Sequence, residues 1–88
     1  MASIQVYRGK DVGRTYPLGD DATLGSAPDV SIPIADSRLS PRHARILRRS
    51  GEFLIADLTG KAAVAVNGRV ITGEKKLVNG DKIRLGLT

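Results

Sequence analysis

Cysteine is absent from the 88 residues, so no disulfide framework supports this small chain and no thiolate zinc site can form. Its single histidine, His43, excludes a multi-histidine metal site. The acids Asp20, Asp21 and Asp36 lack EF-hand spacing and read as turn or capping residues, so neither metal nor cofactor is expected. Tryptophan is missing too, and the aromatics amount to one Phe and two Tyr. The core must therefore be aliphatic, and a nucleic acid would find almost no platform on which to stack its bases. Apolar runs are short. Ala62 to Val66, one of the longest, falls far below the span of a bilayer. Met1 to Gln5 has neither a basic nor a long apolar stretch, so no signal peptide is visible. Together with the missing cysteine, this predicts a cytoplasmic chain, or the cytoplasmic fragment of a longer protein. No paired carboxylates, no Ser/His/Asp set and no ligand cluster stand out, which argues against an enzyme.

Helical periodicity is also lacking, and short alternating runs bounded by Gly, Pro, Asp and Asn recur instead. Ser3 to Tyr7 alternates before a turn over Arg8 to Gly13. Arg14 to Leu18, Ala22 to Gly25 and Ser31 to Ile34 follow. Pro17 and Pro33 assign two of these strands to edges or irregular pairing. His43 to Arg49 and Glu52 to Ala56 form a predicted hairpin around Ser50-Gly51. Ala63 to Val66 and Arg69 to Ile71 form another around Asn67-Gly68, the strongest hairpin signal in the chain. Glu74 to Val78 and Lys82 to Leu85 flank Asn79-Gly80-Asp81. Many short strands with Gly-rich turns predict a single all-β domain over residues 1–88, a sandwich or barrel near the lower size limit for independent folding. The expected core is Ile4, Val6, Leu24, Ile32, Ile34, Ile46, Phe53, Ile55, Val66, Ile71, Leu77, Ile83 and Leu85.

The net charge is +5, and it is unevenly spread. Arg38, Arg42, Arg45, Arg48 and Arg49 lie between Ser37 and Gly51 with no acid among them. Such a stretch favours an anionic partner, such as a phosphorylated protein, a nucleic acid or an acidic surface, or else is a solvated strand face.

Several segments in order carry a family likeness: Leu24-Gly25, Asp29-x-x-Ile32-x-Ile34-x-Asp36, Leu39-Ser40-x-x-His43-Ala44-x-Ile46 and Asp57-Leu58. Val66-Asn67-Gly68 and Leu77-x-x-Gly80-Asp81-x-Ile83-x-Leu85-Gly86 complete the series. From Ile4 to Gly86 the chain resembles the forkhead-associated (FHA) domain, a phosphothreonine-reading β-sandwich of short antiparallel strands. The resemblance implies that Gly25, His43, Asn67 and Gly68 support a ligand site, His43 by bracing its loops.

The same resemblance implies a phosphate-binding arginine directly after Gly25, where this chain has Ser26. Ser40 keeps the position of a second phosphate ligand. The next residue, often Arg or Asn in the family, is Pro41, which has no side-chain donor and no N–H. Arg42 follows one place later, a shift that would turn its side chain to the other face of an extended backbone. The family loop Ser-x-Asn-Gly-Thr reads Gly60-Lys61-Ala62-Ala63-Val64 here. Its amide side chain is thus replaced by Ala62, and Lys61 is the one residue that could bring charge to a phosphate. The candidate ligand-binding residues are therefore Ser26, Ser40, Arg42, Lys61 and Ala62. The family also carries a further strand after the segment ending at Gly86, pairing near the first. Here only Leu87-Thr88 follow, so that strand is either absent or supplied by sequence beyond this chain. An exposed first-strand edge predicts a homodimer or strand exchange.

The expected function is that of a non-catalytic protein–protein interaction module with weak or lost phosphothreonine recognition, acting in signalling or as an assembly scaffold. The alternative is a working reader of threonine-phosphorylated peptides. Nucleic-acid binding through the arginine stretch ranks lower, and a membrane is not an expected partner.

Overall fold

The computed structural model describes residues 3–9 and 12–86. The start of the chain at Met1-Ala2, Lys10-Asp11 within the first expected turn, and the final Leu87-Thr88 lie outside the described residues.

Ten strands form, each where alternation puts one set of side chains inward. They are β1 (Ser3–Gln5), β2 (Thr15–Pro17), β3 (Asp21–Gly25), β4 (Ile32–Pro33), β5 (Ala44–Arg49), β6 (Glu52–Asp57), β7 (Val64–Val66), β8 (Arg69–Val70), β9 (Glu74–Leu77) and β10 (Ile83–Leu85). The largest sheet runs β4-β3-β5-β6-β9, a three-stranded sheet runs β10-β7-β8, and β1 pairs with β2. All pairs are antiparallel except β3 with β4. Both proline-bearing strands, β2 and β4, are edges as expected, because proline cannot donate to a second neighbour.

The two predicted hairpins are present. Arg49 faces Glu52 across Ser50-Gly51, and Val66 faces Arg69 across Asn67-Gly68. All four turn residues have positive φ, between 53° and 81°, which is the backbone that a two-residue turn needs to match strand twist. Asn79-Gly80-Asp81 does something different. It carries the chain from β9 in the large sheet to β10 in the small one.

The register stacks the core. Ala22 faces Ile46, which faces Ile55, and Leu24 lies between Ile32 and Ala44. From the small sheet, Val64 faces Leu85 and Val66 faces Ile83. These inner faces pack into one aliphatic cluster, closed by Ile34, Leu39 and Ile71, which makes the molecule a β-sandwich. Ile46 and Ile55 are at most 1% exposed, and burial of each contributes roughly 2–3 kcal/mol. Ile4, Phe53, Leu77 and Ile83 pack against the cluster but stay partly exposed.

Candidate functional site

The connection from β4 to β5 passes so close to the end of β3 that it dictates a residue. A Cβ built on Gly25 would lie 2.0 Å from the Pro41 carbonyl oxygen, 2.6 Å from its carbon and 3.0 Å from the Ser40 oxygen. Only glycine fits. The approach allows main chain to bond main chain: Ser26 N–H donates to Ser40 O (3.1 Å) and Ala27 N–H to Pro41 O (3.3 Å).

His43 ties this connection to the next loop. The Ser40 N–H donates to His43 Nδ1 (3.1 Å), so that nitrogen carries no proton. Nε2 is then the protonated atom, and it donates to Ala63 O (2.8 Å). The imidazole is 3% exposed. Asp57 holds the same loop from the other side. Its Oδ1 accepts the N–H and hydroxyl of Thr59 (2.8 and 2.6 Å), and its Oδ2 accepts the Ala63 N–H (3.0 Å). Burial alone would raise this carboxyl, but hydrogen bonds from the Thr59 hydroxyl and the two main-chain N–H groups outweigh it and hold Asp57 below its ordinary value. Farther off, Asn67 receives Lys82 N–H (2.9 Å) and donates to Asp81 Oδ1 (2.9 Å), joining the turn after β7 to the turn before β10. Asn67 and Gly68 thus support the frame and lie away from the Ser40 loop.

Each candidate ligand residue has a definite state. The Ser26 hydroxyl donates to Leu39 O (3.0 Å). Its one proton is committed to bracing the loop, leaving none for an anion. Arg42 reaches Asp29 in the β3–β4 loop (3.2 Å), so its charge is partly answered already. Ser40 is half-buried, and its hydroxyl makes no hydrogen bond among the described residues. Lys61 is exposed, its N–H bonded to Thr59 Oγ1 (3.0 Å), and its ammonium group is unpaired among the described residues. Ala62 occupies the left-handed region (φ 53°), a conformation that costs a side-chain-bearing residue roughly 1–2 kcal/mol. The structure brings Ser26 and Ser40 together and places Lys61 and Ala62 on the loop that His43 links to them.

The acid-free arginine stretch acquires acids from elsewhere in the sequence. Arg45 forms a two-pronged pair with Asp21 on β3 (2.9 and 2.6 Å). Arg48 lies 4.0 Å from Asp20, and Arg49 lies 3.5 Å from Glu74 on β9. These exposed pairs add little stability, yet they neutralise the patch that suggested a nucleic acid. Of the five arginines, only Arg38 has a guanidinium without a partner among the described residues. Sequence reasoning treated the five alike, because their acids lie outside the stretch.

Comparison with known proteins agrees with the fold. The FHA domain model matches residues 22–86. FhaB, an FHA domain-containing protein of Mycolicibacterium smegmatis, is 30% identical over 84 residues, covering 94% of this chain and 54% of FhaB. The chain thus spans about half the length of that curated relative. The FHA domain of FhaA, solved in complex with the intracellular domain of Rv3910, is 32% identical with a TM-score of 0.82, over 96% of this chain and 90% of that one. A domain solved in a study of phosphothreonine-dependent FHA interactions has the same identity and TM-score, over 96% of this chain and 85% of its own. By sequence, by fold and by the glycine-dependent crossing of its loops, this chain belongs to the FHA domain family.

Proposed function

We propose that this chain is a non-catalytic protein-interaction module that engages a partner through the loops around Ser40, Lys61 and Ala62, with phosphothreonine dependence weak or lost. One observation carries the reading: the residue in the phosphate-arginine position, Ser26, gives its only hydroxyl proton to Leu39 O. Pro41 adds no donor, Arg42 is drawn to Asp29, and Ala62 has no amide. The Ser40 hydroxyl remains, a neutral hydrogen bond worth about 1 kcal/mol, together with the Lys61 ammonium, a mobile exposed charge. A guanidinium fork offers two charge-assisted bonds in fixed geometry. The alternative of a full phosphothreonine reader draws support from Ser40 and from the phosphothreonine-dependent interactions studied with a related domain.

Titration with a threonine peptide and its phosphorylated form separates the two. Phosphorylation is expected to tighten binding to the wild type by less than about tenfold, and Ser26→Arg is expected to widen that preference by about tenfold or more. A large preference in the wild type, abolished by Ser40→Ala, would establish the alternative.

The finer expectation of self-association also has a place in the fold. β1 pairs on one side with β2, and β10 on one side with β7. Their opposite edges flank a groove of about 470 Å³ lined by Ile4, Val6, Ile83 and Leu85, with Leu24 and Ile34 also exposed to it. We read it as the seat of a strand from a second copy, whose main chain would bond both edges. Sedimentation should then show a dimer that dissociates on dilution, whereas a monomer at every concentration rules this mode out.

A further inference from the structure

Five cations of this chain have their charge answered by an acid: Arg42, Arg45, Arg48, Arg49 and Lys76. Arg38 and Arg84 do not. Neither guanidinium makes an ion pair or a hydrogen bond among the described residues, and both residues are exposed. They arrive from separate elements, Arg38 from the β4–β5 connection and Arg84 from the middle of β10. Yet they line one shallow cavity of about 250 Å³. The end of β10 packs against the stem of Arg38: a Cβ built on Gly86 would lie 3.3 Å from the Arg38 Cβ. Gly86 has φ +57° and no room for a side chain, so this contact fixes the spacing of the two residues.

The rest of the cavity sets what could fill it. Ala62, Ala63, Ala65 and Val70 contribute small or apolar walls, and His43 borders it. Ala65 is directly opposite both Arg84 and Val70 in the sheet register. The nearby acid in the loop, Asp36, accepts the Arg38 N–H through Oδ1 (2.9 Å) and has its Oδ2 against Gly86. Two unanswered forks over a floor of alanines suit a short carboxylate side chain on an otherwise small, uncharged peptide.

We propose that Arg38 and Arg84 form a carboxylate-reading site, through which this module binds an acidic, unphosphorylated segment of its partner. The inference rests on reading this end of the sandwich as the partner-binding face, and deepens it. Anion recognition is carried by Arg38 and Arg84, beside the loop whose phosphate-arginine position is Ser26. The two places are distinct in composition, since neither Ser26 nor Ser40 lines this cavity.

The test uses the full chain labelled with ¹⁵N and follows the arginine side-chain Nε–H signals. The probe is acetyl-Glu-Ala-Glu-amide at millimolar concentration, with acetyl-Gln-Ala-Gln-amide as the uncharged control. The Arg38 and Arg84 signals are expected to move with the acidic peptide alone, while those of the ion-paired Arg45 and Arg49 stay nearly fixed. Arg38→Gln should weaken the response at Arg84 by about tenfold, and Ser40→Ala should leave it in place. Equal movement of all arginines, or no movement, would overturn the proposal by showing general charge attraction or no site. A response lost in Ser40→Ala but retained in Arg38→Gln would overturn it by placing the anion at the Ser40 loop. Failure of the phosphothreonine titration leaves these signals unaffected, so the two readings fail separately.

Discussion

Gly25→Ala is expected to lower the thermal midpoint by about 12–24 °C, equivalent to about 3 kcal/mol for a domain of this size. The added methyl would sit 2.0 Å from the Pro41 oxygen and 3.0 Å from the Ser40 oxygen. Both obstacles are main chain, so no side-chain rotation relieves the clash. Moving the loop away would stretch the two bonds that those same oxygens accept, from Ala27 N–H and Ser26 N–H. Overpacking costs about 1–3 kcal/mol and each lost hydrogen bond about 0.5–1.5 kcal/mol, a large part of the 5–15 kcal/mol that holds a typical domain together. Gly19→Ala is the matched control, because a Cβ there meets nothing within 4 Å and its φ is not positive. Circular dichroism melts of the two variants decide the matter. A Gly25→Ala midpoint within a few degrees of Gly19→Ala would mean that the loop crossing is soft.

This glycine illustrates how far the sequence could be read. Its position in a family pattern was visible, but its reason was not, since Pro41 lies sixteen positions away and nothing local signals the contact. The turns Ser50-Gly51 and Asn67-Gly68 were legible because their chemistry is local: two residues must adopt positive φ, and these residue types do so readily. Strand edges were legible through Pro17 and Pro33 for an equally local reason. Ala22, Ala44 and Val64 are buried yet escaped the expected core. The alanines carry too little apolar surface to stand out, and Val64 sits in a run of small residues without clear alternation. The arginine stretch misled in the opposite direction. Its acids come from β3, β9 and adjacent loops, and pairings between distant strands leave no trace in the composition of one segment. The losses at Ser26 and Ala62 were readable as missing donors. That the Ser26 hydroxyl had become a brace for Leu39 O required the geometry.

His43→Ala is expected to cost about 3 kcal/mol or more and to loosen both ligand loops together. The imidazole is 3% exposed and is the only side chain bridging Ser40 and Ala63 among the described residues. Its removal opens a cavity and leaves the Ser40 N–H and the Ala63 carbonyl without partners, each costing about 1–3 kcal/mol where water cannot reach. Hydrogen exchange should therefore speed at the Ser40 amide, while the Ala63 amide keeps its bond to Asp57 and changes less. That difference sets loss of the brace apart from general unfolding. The Asp57 half of the clamp has its own signature. Because its carboxyl is depressed in the folded state, its contribution is complete above the unfolded value near pH 3.9 and fades as pH falls through the lower folded value. Asp57→Asn removes that titration, so its stability should fall less steeply below about pH 4 than that of the wild type. The acid sensitivity from Asp21, held down by Arg45, and from Asp81, held down by the Val78 N–H, should remain. Urea unfolding of both variants across this range separates the contributions: His43→Ala should be weaker throughout and keep the wild-type acid slope. Equal acid slopes for Asp57→Asn and the wild type would show that the carboxylate contributes no charge-dependent hold on the loop.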